Sequence, residues 1–200
     1  MGYLNRFFGH LKTILNHKRW VFYYMVRLGY GWRGLMHDMS KLSPEEFFEG
    51  VKYWTGTRSP ILVAKERQGI SYAWLHHRGR NKHHYEYWID KLDGGGVPCK
   101  IPFKYVVEMI CDWFAACRTY EKQKEEIYQK EYVWWQEKRK TAKIHSETQN
   151  LIEKILLYLS NHRVLIDVNA LGTGFWGTNE KSALKDLKHK LKDFQQEYEH

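Results

Sequence analysis

Between Tyr3 and Leu28 the apolar residues Leu4, Phe7, Phe8, Leu11, Ile14, Leu15, Val21, Phe22, Met25 and Val26 recur at intervals of three and four, the period of an amphipathic helix. Gly29, Gly31 and Gly34 loosen the chain before a second helix, expected to carry His37 and Asp38 and to end near Lys41 and Leu42. Ser43-Pro44-Glu45-Glu46 combines a cap residue, a proline at the first helical position and a glutamate three residues after the cap. That run predicts a third helix through Phe47, Phe48 and Val51 to about Trp54. Thr55 to Pro60 reads as a loop, Ile61 to Gln68 as a short helix ended by Gly69, and Ile70 to His77 as another helix. Asp90 to Pro102, with Gly94-Gly95-Gly96 and two prolines, reads as a loop.

Phe103 to about Tyr120 is a mostly buried helix, with Val106, Val107, Ile110, Trp113, Phe114 and Cys117 in its apolar run. The charged stretch Glu121 to Arg139 is helical with a Tyr128, Tyr132, Trp135 stripe, and Ile144 to Leu159 and Ser182 to Tyr198 are two further amphipathic helices. Arg163 to Asn179, containing Leu171 to Gly177, is irregular and lacks the lysine and spacing of a phosphate-binding loop. The expectation is an all-α chain: a helical core over residues 1–120 and a helical extension over 121–200.

Composition bounds this picture. Two hundred residues, 43% hydrophobic and 16% aromatic, suffice for one sizeable core. No apolar run approaches the roughly 20 residues of a membrane span, and the start lacks the apolar centre of a secretory signal, so a cytoplasmic protein without a membrane partner is expected. Cys99, Cys111 and Cys117 form no close pair and read as small buried hydrophobes. The net charge of +9 is lopsided: residues 1–100 carry 16 Lys/Arg against 8 Asp/Glu, and residues 101–200 carry 16 against 15. The positive half favours anionic partners, either a small phosphate-containing substrate or a nucleic-acid backbone.

The candidate chemistry lies in that half. His37-Asp38 places an imidazole and a carboxylate side by side, and His10 and His17 lie seven residues apart near one face of the first helix. The run Trp74 to Trp88 holds His76, His77, His83 and His84, alternating with Arg78, Arg80 and Lys82. Histidine is the commonest metal ligand, whereas arginine cannot ligate, so the natural division is imidazoles to a metal and Arg or Lys to a phosphate. Trp74, Tyr85 and Trp88 are candidates to stack a base or to fill the core. Asp112 sits inside an apolar helix, where a carboxylate costs several kcal/mol unless a cation or donors compensate it.

Taken in order, a first-helix histidine, His37-Asp38, a later histidine pair and Asp112 resemble the HD-domain superfamily of metal-dependent phosphohydrolases. Within it the chain is most similar to the branch with a glycine-tyrosine-proline signature, which hydrolyses cyclic dinucleotides. The residues carrying the likeness are His37-Asp38-Met39-Ser40-Lys41, His83-His84-Tyr85-Glu86-Tyr87-Trp88, Asp93 to Pro98, Ile101-Pro102 and Met109-Ile110-Cys111-Asp112. Ser40 stands where that branch has glycine, and Val97 where it has the signature tyrosine. The whole chain also resembles an uncharacterised family of bacteria and their phages.

The superfamily resemblance implies a helical bundle whose ligands are His10 or His17, His37, Asp38 and Asp112, with Asp38 bridging two ions and His76, His77, His83 and His84 supplying the second site. It implies one or two divalent ions, manganese, iron, nickel, cobalt or magnesium, with zinc as a further option. Asp38, Lys41, His83 and His84 are then the catalytic candidates, and Lys41, Arg78, Arg80 and Lys82 the phosphate-binding ones, for hydrolysis of a nucleotide or other small phosphate ester. The competing expectation is a non-catalytic basic module that binds nucleic acid or a protein. A weaker one makes the helices after Glu121 an oligomerisation arm, the oligomeric state itself being unspecified.

Overall fold

The computed structural model describes residues 2–92, 95–120, 127–162 and 178–200. The described chain is almost entirely helical: α1 (Tyr3–Leu28), α2 (Gly31–Met36), a 3-10 turn (Met39–Leu42), α3 (Pro44–Tyr53), α4 (Pro60–Gln68) and α5 (Tyr72–Arg80) make its first half. A second 3-10 turn (Tyr85–Trp88) leads into β1 (Ile89–Leu92) and β2 (Gly95–Pro98), followed by α6 (Phe103–Tyr120), α7 (Ile127–Lys138), α8 (Ser146–Ser160) and α9 (Thr178–Glu199). The fold class is all-α, as the helical periodicity implies.

The antiparallel pair β1–β2, in register Asp90↔Val97, corrects the expected loop over Asp90–Pro102. Glycines that weaken a strand in its interior permit a tight reversal at its end, and the two prolines fall at or beyond the last paired residue. Asp93 and Gly94 of that stretch, residues 121–126 of the charged run and the glycine-rich Leu171–Gly177 lie outside the described residues.

The core forms around α1 and α6, whose faces bury Val21, Tyr24 and Met25 against Val106, Ile110, Cys111 and Phe114. Burying each such side chain is worth roughly 1.5–3 kcal/mol. Ile127, Tyr128 and Trp135 of α7, Leu151 to Leu159 of α8 and Leu184 to Tyr198 of α9 belong to the same core. α2 turns back along α1 after Gly29, whose φ of 93° is a left-handed helix end that other residues adopt at a cost. It packs so closely that a Cβ on Gly34 would lie 2.7 Å from Cβ of Met25. α3, α4 and α5 form a smaller layer beside α1, held by Ile14, Phe47 and Val51 and by Tyr53, Val63 and Ala64.

A buried ion pair joins Glu180, in the first turn of α9, to Arg118 of α6. Tyr23 and Tyr128 donate hydrogen bonds to the same carboxylate at 3.0 and 2.9 Å, and Nε of Arg118 donates to the Tyr24 hydroxyl at 2.5 Å. Cys111 and Cys117 are buried, but Cys99 is exposed beside the hairpin, against the expectation for all three. Among the described residues no helix is long and apolar enough to cross a membrane.

Candidate metal centre

His37 and Asp38 do not lie on a helix. α2 stops at Met36, His37 is extended (φ −55°, ψ 133°), and Asp38 has φ 52°, the one positive φ outside glycine among the described residues. The Lys18 ammonium of α1 donates to the carbonyls of Leu35 and His37, taking acceptors at the end of α2. Aspartate tolerates the left-handed region better than most residues, though at a cost of about 1 kcal/mol. The break matters because neighbours on a continuous helix point about 100° apart, whereas here both side chains turn into one buried space.

In that space Oδ1 of Asp38 lies 3.3 Å from Nε2 of His77 and 3.4 Å from Nε2 of His83. Its Oδ2 lies 3.2 Å from Nε2 of His37 and 4.0 Å from Nε2 of His17. Asp112 completes the second half, with Oδ1 at 2.9 Å from Nε2 of His17 and 3.4 Å from Nε2 of His37. His37, Asp38 and His77 are each 1% exposed, so charge here is not relieved by water. Two groups therefore meet at Asp38: Asp38, His77, His83 and His84, and His17, His37, Asp38 and Asp112, the donor atoms of each lying within 4.8 Å of one another.

These residues fit a cation. Nε2 of His83 and His84 and Oδ1 of Asp38 are buried without a hydrogen-bond partner, while Oδ2 of Asp38 has the Lys41 ammonium at 2.6 Å. Unpaired acceptors in a dry interior cost about 1–3 kcal/mol each, more when charged, and a divalent ion would satisfy them together. The donors are imidazole nitrogen and carboxylate oxygen, with no thiolate.

Two glutamates that sequence reasoning did not single out orient the imidazoles. Glu108 accepts from Nδ1–H of His37 at 3.0 Å, approaches Nδ1 of His83 at 3.4 Å, and takes the Arg33 guanidinium at 2.9 Å on its other oxygen. Glu46 accepts from Nδ1–H of both His76 and His77, each at 2.7 Å. A carboxylate can only accept, so Nδ1 of each ring is turned to its glutamate and Nε2 of His37 and His77 is left facing Asp38, the orientation that carboxylates impose on metal-binding histidines. A third grouping of possible donors, His37, His83 and Glu108, uses the nitrogens turned away from Asp38. The sequence did carry a signal for Glu108: it is the acid one turn before Asp112 in the same apolar helix. Glu46 was hidden by its place in the cap pattern; α3 does begin at Pro44, but the Ser43 side chain makes no capping bond and Glu46 turns inward.

Electrostatics follow the same division. Burial opposes ionisation of Asp38, but His37, Lys41 and His77 outweigh it and hold the carboxyl well below its ordinary range. Burial likewise disfavours the charged His37 ring, yet Asp38, Asp112 and Glu108 reverse this and raise its pKa well above the usual value. His17 is lowered, since burial and the Lys41 charge exceed the pull of Asp112. Burial also lowers His84, helped by the charges of His83 and His77.

The other expected site residues divide. Nζ of Lys41 lies 2.6 Å from Oδ2 of Asp38. The structure does not bring His10 or His76 to the centre: His10, two turns before His17, packs on Phe47 against Gly50, and His76 points outward from Glu46. Trp74 stands edge-on to His84, and Tyr85 and Trp88 pack on the main core.

Two clefts without a lining residue in common reach the centre. One, of about 300 Å³, is lined by His17, Lys41 and Asp112 and extends past His10 to Pro60 and Leu62. The other, of about 270 Å³, reaches Asp38 and His83 between Arg33, Arg80, Lys82 and Trp32, while Arg78 lines neither.

Among known proteins, the model of a family of unknown function, DUF5662, matches residues 6–157, which enclose every residue of the centre. No curated protein and no solved structure matches the chain.

Proposed function

This chain belongs to that family of unknown function, and from the chemistry of its own centre we propose that it is a metal-dependent phosphohydrolase acting on a small phosphate ester. The observation that carries the reading is the Asp38 carboxylate, whose Oδ1 faces His77 and His83 and whose Oδ2 faces His37 beside the Lys41 ammonium, so that its two oxygens meet two different sets of imidazoles. A carboxylate so placed is suited to bridge two cations. The resemblance to the HD-domain superfamily supports the same reading, because His17, His37, Asp38, His83, His84 and Asp112, which carry it along the sequence, fall in these two groups.

Nitrogen and oxygen donors suit manganese, iron, nickel, cobalt or magnesium, and zinc fits as well. Such ions polarise phosphoryl oxygens and make water a nucleophile near neutral pH. The chain's own contribution is threefold. His37 and His77 are locked by Glu108 and Glu46 so that their Nε2 atoms point inward, ready to ligate once any proton there is displaced. Lys41, beside Asp38, and Arg80 and Lys82 at the mouth of the second cleft place positive charge where a phosphate would lie. Burial around Asp38 excludes bulk water and strengthens each of these interactions.

Asp38→Asn tests the reading, because asparagine accepts the left-handed backbone that alanine resists. The purified wild-type protein is expected to carry a divalent metal by elemental analysis and to release p-nitrophenol from its phosphate monoester or diester. The variant is expected to lose both with an unchanged circular-dichroism spectrum. Wild-type protein that takes up none of the six metals on dialysis would overturn the proposal, and steeply salt-dependent nucleic-acid binding by that metal-free protein would put the basic binding module in its place.

A further inference from the structure

α1 has two apolar faces, and the fold uses one of them. The side that carries Ile14, Val21, Tyr24 and Met25 is buried against the rest of the chain. On the other side Leu4, Phe8, Leu15, Phe22 and Val26 stand 43–68% exposed. At 100° per residue these five fall within about 40° of one another and form a ridge about 33 Å long. Single apolar residues scattered over a surface are ordinary, whereas a continuous line of bulky ones marks a contact. Trp32, 75% exposed, and the exposed Leu35 and Met36 extend it on α2, whose Gly31 and Gly34 abut Val26 and Phe22.

Charge decides what can cover the ridge. α1 carries Arg6, Lys12, Lys18, Arg19 and Arg27 and no acidic residue. Lys12 and Arg19 are exposed along one flank of the ridge and enter no ion pair among the described residues. The apolar positions are symmetrical about Leu15, so in an antiparallel pair of copies Leu4 would meet Val26, Phe8 would meet Phe22, and Leu15 its own counterpart. That pairing also sets Lys12 of each copy against Arg19 of the other, with no acid on either helix to separate them. Like charges brought together across a contact disfavour it, so the ridge selects against a second copy and for an anionic partner. A protein would have to supply a groove of the same length. A bilayer needs none: apolar side chains sink at the boundary of headgroups and acyl chains, cations meet the lipid phosphates, and aromatic rings such as Tyr3 and Trp32, at the two ends of the ridge, settle at that level.

We propose that the α1 ridge lies on an anionic lipid bilayer, with its apolar line sunk between the headgroups and Lys12 and Arg19 against their phosphates. The expected lack of a membrane partner follows from the missing span alone, and a helix lying on a bilayer requires no span. None of the ridge side chains belongs to the donor groups of the metal centre, so failure of this inference and failure of the phosphohydrolase reading are independent.

The test is co-sedimentation of the full chain with sucrose-loaded vesicles, either of phosphatidylglycerol mixed with phosphatidylcholine or of phosphatidylcholine alone. Binding to the anionic vesicles is expected to be at least about tenfold stronger than to the neutral ones and to weaken as salt is raised. Leu15→Glu with Phe22→Glu should lower the partition coefficient by about tenfold or more, as should Lys12→Glu with Arg19→Glu. All four positions are exposed, so the circular-dichroism spectrum should not change, and Leu15→Gln with Phe22→Gln is the milder pair should the glutamates disturb folding. Val133→Glu, at an exposed apolar position of α7, should bind as wild type does. Anionic vesicles left unbound by the wild-type chain, or bound equally well by the Leu15 and Phe22 variants, would overturn the proposal. A dimer in sedimentation equilibrium that Leu15→Glu dissolves would overturn it in favour of a second copy.

Discussion

Replacing Glu108 by glutamine removes one charge and keeps the shape, so it measures what that charge does. Glu108 is 4% exposed and accepts from His37 and Arg33, and although burial pushes its pKa up, its hydrogen bonds to His37 and His83 win and lower it from 4.5 to about 2. That fall corresponds to about 3 kcal/mol favouring the ionised form in the folded chain. Because the folded pKa is depressed, the stabilisation is fully present above the unfolded value near 4.5 and is lost as pH falls toward 2. In chelator-treated protein, urea unfolding followed by circular dichroism should show Glu108→Gln less stable by about 2–3 kcal/mol at pH 7, the neutral amide recovering part of the loss. The gap should close progressively below pH 4.5. Metal affinity at pH 7, from competition with a chromogenic chelator, should fall about 10–100-fold, as when a histidine ligand loses its orienting carboxylate. A stability gap of the same size at pH 7 and pH 3 would refute the electrostatic account, and an unchanged metal affinity would refute the orienting role.

The two first-helix histidines should separate cleanly: His17→Ala is expected to lower bound metal per chain by elemental analysis, and His10→Ala to leave it at the wild-type level. Metal retention should weaken as pH is lowered from 8 to 6, because the raised pKa of His37 keeps a proton on the metal-free ring that an incoming ion must displace; dialysis at stepped pH with metal analysis checks this. Gly34→Ala forces its Cβ to 2.7 Å from Met25 Cβ and 3.2 Å from the Phe22 backbone, and should cost about 1–3 kcal/mol in urea unfolding, whereas Gly79→Ala, in α5 and with nothing within 4 Å, should leave stability unchanged or raise it by up to about 1 kcal/mol.

Helices with one apolar face were legible along the chain, since α1 and α6 need only the recurrence of buried side chains to declare their bounds. Asp112 was legible as a carboxylate in need of a partner, and the partners are His17 and His37. What could not be read was the backbone between elements. Nothing in Leu35 to Lys41 announces that Lys18, seventeen residues before Leu35, takes carbonyls at the end of α2 and that Asp38 turns left-handed. Periodicity describes faces of regular elements, and the centre is assembled at an irregular junction. The choice between His10 and His17 had the same origin, because both occupy the buried face of α1 and only the packing of α3 against the first of them decides. Glu46 shows a residue type with two good explanations, where a local capping rule concealed a tertiary partner.

The pairing of Arg118 with Glu180 ties α9 to the helix that supplies Asp112. Without the Glu180 carboxylate the Arg118 guanidinium would stand buried beside the Tyr24 hydroxyl with no counter-charge from α9. That uncompensated cation would sit between one and two turns along α6 from Asp112, so a contact made by α9 bears on the helix that holds one of the centre's carboxylates in place.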